Sequence, residues 1–240
     1  MTRKIDRRQA LGTFGTVSLG ALLAACGGGG DGDGDAADPT ATPPATGGNG
    51  TAPQTADRFG DRSNCTLTPE QTEGPYYFDA DAIRSDIRED REGTPLLLAI
   101  RVRDSACEPL RNAVVDIWHC DADGAYSGFE GAGGERFLRG TQVTNGQGIV
   151  EFTTVYPGWY PGRTVHIHAK VHLDNSTMLT TQLYFPDAVT EQVYANEPYV
   201  NRGGPDMRNG DDGIFDEALV LDVEEDIDGY TATISFDVAS

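Results

Sequence analysis

The segment Arg163-Thr164-Val165-His166-Ile167-His168-Ala169-Lys170-Val171-His172-Leu173 alternates apolar and polar side chains. In a β-strand, successive side chains leave opposite faces. Val165, Ile167, Ala169, Val171 and Leu173 therefore face a core, and His166, His168 and His172 share the other face. Two imidazoles at i and i+2 on one strand face can converge on a single metal ion. A His-x-His pair is common enough to be structural. Here, however, three of the chain's four histidines lie on that face, which favours a metal.

Candidate oxygen donors flank this strand. Tyr156-Pro157-Gly158-Trp159-Tyr160-Pro161-Gly162 is a rigid turn that holds Tyr160 a few residues from the histidines. Asp123-Gly124-Ala125-Tyr126-Ser127 follows a strand ending in Trp118-His119-Cys120. A half-buried ring with its hydroxyl in water is the ordinary state of a tyrosine. Nothing local singles out Tyr126 and Tyr160 among the nine tyrosines.

The elements that must position these groups are mostly strands. Residues 96–103 and 113–120 are β-branched, apolar-rich runs parted by a polar stretch, which predicts a hairpin. Further strands are expected at 136–144, 148–156, 163–173, 179–185, 218–223 and 230–238, with turn residues such as Asn145-Gly146 between them. One short helix is expected over 187–196. The pattern predicts an all-β sandwich with few short helices, not an α/β fold. His119 shares strand parity with Val115 and Ile117, so it is expected to pack beside a site and not to ligate. His172 is expected near the surface.

A net charge of −20 and the lack of any basic stripe argue against nucleic-acid binding. Composition divides the chain. Residues 61–240 hold nearly all the aromatic side chains, and about 180 residues suffice for one core. Residues 27–60 are Gly, Asp, Ala, Pro and Thr without apolar periodicity, which predicts a flexible tether. Arg7-Arg8 precedes an apolar run from Ala10 to Ala25, a signal peptide over 1–25 that resembles a twin-arginine export signal. Leu23-Ala24-Ala25-Cys26 resembles a bacterial lipobox, with Cys26 lipidated. The expected product is exported, periplasmic or cell-surface, and held to a membrane through that lipid. Cys65, Cys107 and Cys120 remain for one disulfide in an oxidising compartment. Three pairings are open. Cys120 ends a strand leading into the proposed site, which favours Cys65–Cys107.

Four runs together carry a more specific signal: Glu73-Gly74-Pro75-Tyr76-Tyr77, Val115-Asp116-Ile117-Trp118-His119-Cys120-Asp121-Ala122-Asp123-Gly124-Ala125-Tyr126, Gly158-Trp159-Tyr160-Pro161-Gly162-Arg163-Thr164-Val165-His166-Ile167-His168 and Leu179-Thr180-Thr181-Gln182-Leu183-Tyr184-Phe185. In order and spacing, over roughly residues 65–238, they resemble the intradiol ring-cleavage dioxygenases, a family of transthyretin-like sandwich fold. The resemblance implies Fe(III) held by Tyr126, Tyr160, His166 and His168, with Arg163 and Gln182 beside it. It also implies cleavage of a catechol-type ring by O₂ to a muconate-type diacid. Two phenolates and a hydroxide would balance the ferric charge, since a bound cation lowers the pKa of its ligands. The chain departs from the family at His119, where many members carry a non-ionisable polar residue. The tether also stands where catechol 1,2-dioxygenases have a dimerising helical segment, so their dimer is not implied. Two other functions stay open on the residues alone: a zinc hydrolase using His166, His168 and His172, and a non-catalytic transthyretin-like binding module.

Overall fold

The structure, a computed structural model, describes residues 54–60, 65–129, 131–174 and 176–240. The signal peptide, the lipobox and most of the tether lie outside the described residues. Among the described residues, besides short 3-10 turns, there are eight strands and one α-helix: β1 (Pro95–Arg103), β2 (Val114–Trp118), β3 (Arg139–Val143), β4 (Ile149–Val155), β5 (His166–Leu173), β6 (Ser176–Tyr184), α1 (Asp187–Tyr194), β7 (Asp222–Asp226) and β8 (Gly229–Asp237). They form two four-stranded sheets, ordered β4-β1-β8-β7 and β3-β2-β5-β6. The expected all-β sandwich is what folds.

Alternation explains the layering. Leu96, Leu98, Ile100 and Val102 of β1 leave one face of their strand and meet Val115, Ile117, Ile167, Ala169 and Val171 from the opposite sheet. Phe152, Ala232 and Phe236 complete the first layer. Each large apolar side chain so buried contributes about 1.5–3 kcal/mol. This shared core is the main force holding the sheets face to face.

The predicted β1–β2 hairpin is not formed. β1 lies between β4 and β8, and β2 between β3 and β5, in opposite sheets. The apolar faces of the two strands are satisfied by facing each other across the core, which side-by-side pairing would prevent. Residues 104–113 make the crossing. Asp104 Oδ1 accepts from the backbone N–H groups of Ala106 and Glu108, and Leu110 N–H returns to the carbonyl of Val102. The Cys65–Cys107 disulfide is present and holds this crossing, while Cys120 is free and buried. β7 also starts later than expected. Residues 217–219 form a 3-10 turn capped by Asp216, which turns Leu219 fully into the interior.

The described residues include part of the segment read as tether. Thr55 is buried, and its N–H and hydroxyl both donate to Glu151 Oε1, at 2.9 and 2.7 Å. Arg58 pairs with Glu224 on β7. Residues 54–60 thus dock on the outer side of the β4-β1-β8-β7 sheet.

His119 is a bolt between the sheets. It is fully buried after β2, its Nδ1–H donates to the Cys120 carbonyl, and Thr154 Oγ1 on β4 donates to Nε2, each at 2.8 Å. Burial pushes its pKa down from 6.5 to about 4, against the pull of the Cys120 carbonyl. Between those values the unfolded chain binds a proton that the folded chain does not. Stability therefore falls as pH drops from 6.5 to 4, by about 3 kcal/mol from this group. Urea unfolding across that window should show a pH slope smaller by that amount in His119→Gln. Equal slopes would contradict this assignment.

Candidate metal centre

β5 is buried on both faces. Ile167, Ala169 and Val171 enter the core, and His166 and His168 leave the outer face, yet both imidazoles are buried. Residues 72–78 and the loop between β2 and β3 cover them. Gln182 on β6 and Trp118 on β2 lie opposite His168 in register, so the three share the same outer face.

The covering segment is zipped down by named contacts. Gln71 N–H donates to the Thr180 carbonyl, and Gln182 Nε2 donates to the Thr72 carbonyl at 2.9 Å. Glu73 pairs with Lys170. Gly74 has φ +71°, and a Cβ there would stand 3.1 Å from His168 Cε1. Tyr76 stacks on Tyr126 with ring centroids 4.3 Å apart.

Two glycine contacts bring the tyrosines together. The Asp121–Ala125 turn closes on itself, with Asp121 Oδ1 accepting from the N–H groups of Asp123 and Ala125. A Cβ on Gly124 would meet the Trp159 carbonyl at 2.2 Å, and one on Gly158 would meet the Asp121 carbonyl at 2.3 Å. The two turns therefore interlock backbone to backbone, which only glycine permits. The rings of Tyr126 and Tyr160 consequently lie 5.8 Å apart.

His166 Nδ1–H donates to the Thr164 carbonyl at 2.7 Å, which leaves Nε2 as the acceptor nitrogen facing the site. That Nε2 lies 3.0 Å from Tyr160 Oη and 3.1 Å from His168 Nε2. The buried Tyr126 hydroxyl faces Tyr160 and, among the described residues, has no hydrogen-bond partner in ordinary geometry. Burial, helped by the Arg163 charge, pushes His166 down to about 3, and burial holds His168 well below its ordinary value. Burial likewise raises Tyr160 to about 12 and Tyr126 well above 10. Without a cation these are neutral imidazoles and neutral phenols. Two imidazole nitrogens and a phenol oxygen crowded within about 3 Å of one another, beside a buried Tyr126 phenol, form a set of donors that a multivalent cation would satisfy. The donor set of two imidazoles and two ionisable phenols fits a hard trivalent ion.

The three-histidine zinc arrangement is not formed. β5 shifts register between Val171 and His172, and His172 Nε2 faces Asp116 at 3.3 Å. Among the described residues no group of three or more His, Cys, Asp or Glu side chains could hold a metal.

Arg163 lies half-buried beside this cluster. Its Nε donates to Asp212 Oδ2 at 2.8 Å and its Nη2 to Gln182 Oε1 at 2.6 Å. Asp212 also accepts from Thr164 N–H. Burial works to raise the Asp212 pKa, but the Ile214 N–H and Arg163 outweigh it and hold the carboxylate ionised. Sequence reasoning missed Asp212, which sits in a loop with no periodic signal. It also missed Trp118, Tyr77 and Tyr76 as neighbours of the site. Cross-strand register could have found Trp118.

Alanine at Gly74 would force a left-handed residue and press on His168. Gly74→Ala is expected to lower stability by about 1–2 kcal/mol in urea unfolding. Unchanged stability would show that residue 74 is free to move away from the imidazole.

The dioxygenase family model matches residues 72–197. The chain is 30% identical over 166 residues to a chlorocatechol 1,2-dioxygenase from Rhodococcus opacus, covering 60% of this chain and 58% of that one. It is 31% identical over 140 residues to catechol 1,2-dioxygenase 1 from Acinetobacter lwoffii, covering 48% and 45%. The chain thus spans about half the length of the curated relatives it matches. An intradiol ring-cleavage dioxygenase from Tetranychus urticae superposes with TM-score 0.71 at 34% identity, over 73% of this chain and 95% of that one. The dioxygenase domain of a carbohydrate-binding fusion from Streptomyces sp. SirexAA-E gives 0.59 at 35% identity, over 72% and 99%. By sequence, by fold and by the order of its motifs, the chain belongs to the intradiol ring-cleavage dioxygenase family.

Proposed function

We propose that the protein uses O₂ to cleave a catechol-type ring between its two hydroxyl-bearing carbons, with Fe(III) held by Tyr126, Tyr160, His166 and His168. The observation that carries this reading is the convergence of two phenols and two imidazoles in one dry site. The names of the catechol and chlorocatechol relatives support the substrate class. Bound iron would accept electron density from the catecholate and so make the ring reactive toward O₂. Both oxygen atoms enter the product, and no external reductant is consumed.

The chain's own residues have separable tasks. Burial keeps the His166 and His168 nitrogens unprotonated and available. Tyr160 Oη, on a turn and not on a strand, is the group suited to accept a proton from a catechol hydroxyl as substrate binds. Arg163, fixed by Asp212 and Gln182, brings a positive charge to stabilise negative charge developing on the ring oxygens. Tyr76 over Tyr126 excludes water from the phenol side.

Oxygen uptake with a panel of catechols, with ¹⁸O₂ and mass analysis of the product, tests the reading. A muconate-type diacid carrying two labelled atoms is expected. Tyr160→Phe should lower kcat by about 10²-fold or more, and His166→Ala should lose both iron and activity. A His166→Ala protein that kept both would sink the ligand assignment.

We also propose that the chain is exported and held to a bacterial membrane by a lipid on Cys26. Arg7-Arg8, the apolar run and the lipobox-like residues support this, and the Cys65–Cys107 disulfide is in keeping with an oxidising compartment. Cys26→Ala should move the protein from the membrane to the soluble fraction of the producing cell. Unchanged membrane association would overturn the anchor.

A further inference from the structure

The two histidines of the site are held by different means. His166 has the usual arrangement for a ligand, its second nitrogen donating to a backbone carbonyl. His168 has none: its Nδ1 is buried and, among the described residues, has no hydrogen-bond partner. Its ring instead lies flat against Trp118, with centroids 4.9 Å apart and planes 6° from parallel. Trp118 is itself buried, and its Nε1 has no partner among the described residues either, so packing sets its orientation.

Tyr77 supplies that packing. Its ring lies 4.8 Å from the Trp118 ring, centroid to centroid. Its hydroxyl donates to Asp116 Oδ2 at 3.2 Å, and Lys170 Nζ stands 4.0 Å over its face. Asp116 is held in turn by Thr141 at 2.6 Å and by His172. A chain of contacts therefore runs from Asp116 through Tyr77 and Trp118 to His168.

Taking His168 as a ligand, as in the function proposed above, we propose that Trp118 is the positioning residue that orients it. The indole, backed by Tyr77, takes the place of the hydrogen bond that fixes His166. Because a stack constrains tilt but not rotation in the ring plane as firmly as a hydrogen bond does, His168 is the more adjustable member of the pair.

The test uses iron-loaded full-length protein and the variants Trp118→Phe, Trp118→Leu and Tyr77→Leu, with Phe152→Leu in the core as a stability control. The readouts are the visible absorption band, the rate of iron loss to a chelator, kcat and KM, and Tm. Trp118→Leu should shift the band, speed iron loss about tenfold or more, and lower kcat more than it changes KM. Trp118→Phe should restore most of each property. Phe152→Leu should lower Tm while leaving the band and the iron-loss rate unchanged. A Trp118→Leu protein with the native band and native iron retention overturns the proposal, whatever its Tm. Should that variant fail to fold, Tyr77→Leu decides: a smaller shift in the same direction supports the proposal, and an unmoved band overturns it. A wild-type protein that takes up no iron would sink the function reading and this proposal together. An active, iron-loaded wild type beside an unaltered Trp118→Leu sinks this proposal alone.

Discussion

A strand in an antiparallel sheet commonly keeps one face wet, and its outward polar residues are then hydrated and ordinary. β5 is different because both of its faces are dry. Its inner residues close the sandwich core, and its outer residues, His166 and His168, lie under a segment zipped across the sheet from Gln71 to Tyr77. Burial, joined at His166 by the Arg163 charge and only partly opposed there by Asp212, keeps both imidazoles uncharged at neutral pH. The chemical character of the site depends on this one constraint. Were the cover absent, the same His-x-His pair would be a hydrated surface feature.

The tyrosines depend on a second constraint, which is steric. Gly124 and Gly158 let two turns approach until their backbones touch, and that contact sets the distance between the Tyr126 and Tyr160 rings. Neither turn is held by its own hydrogen bonds alone. Arg139 adds a further tie, bonding Ser127 from β3 and so fastening the residue after Tyr126 to the sheet. Two phenols and two imidazoles thus meet although they come from three separate stretches of chain. Arg163 reaches the same place because it precedes the β5 histidines, and Asp212 and Gln182 fix its guanidinium.

Much of this was legible in the sequence because it is local. Strand alternation located β5 and separated its histidines from its core residues, and the same periodicity found the other strands to within a few residues. His119 packs as its parity with Val115 and Ile117 implied. The tyrosines were legible only through the resemblance of four runs to a family, since no spacing rule distinguishes Tyr126 from the other rings. What was not legible is long-range. Which sheet a strand joins is decided by the whole core, so β1 and β2 read as a hairpin when they face each other across it. The cover over His168 and the Asp212 anchor lie in aperiodic segments, where neither period nor composition carries a signal.

The proposed function rests on one reading: that Tyr126 and Tyr160 would act as phenolates on a ferric ion that His166 and His168 also hold. Resonance Raman spectroscopy of the purified protein, excited in its visible band, tests this directly. The account predicts enhanced tyrosinate ring vibrations from two inequivalent tyrosines in the wild type, with one set lost in Tyr126→Phe. A protein without a visible band, or tyrosinate vibrations identical in the wild type and Tyr126→Phe, would contradict it.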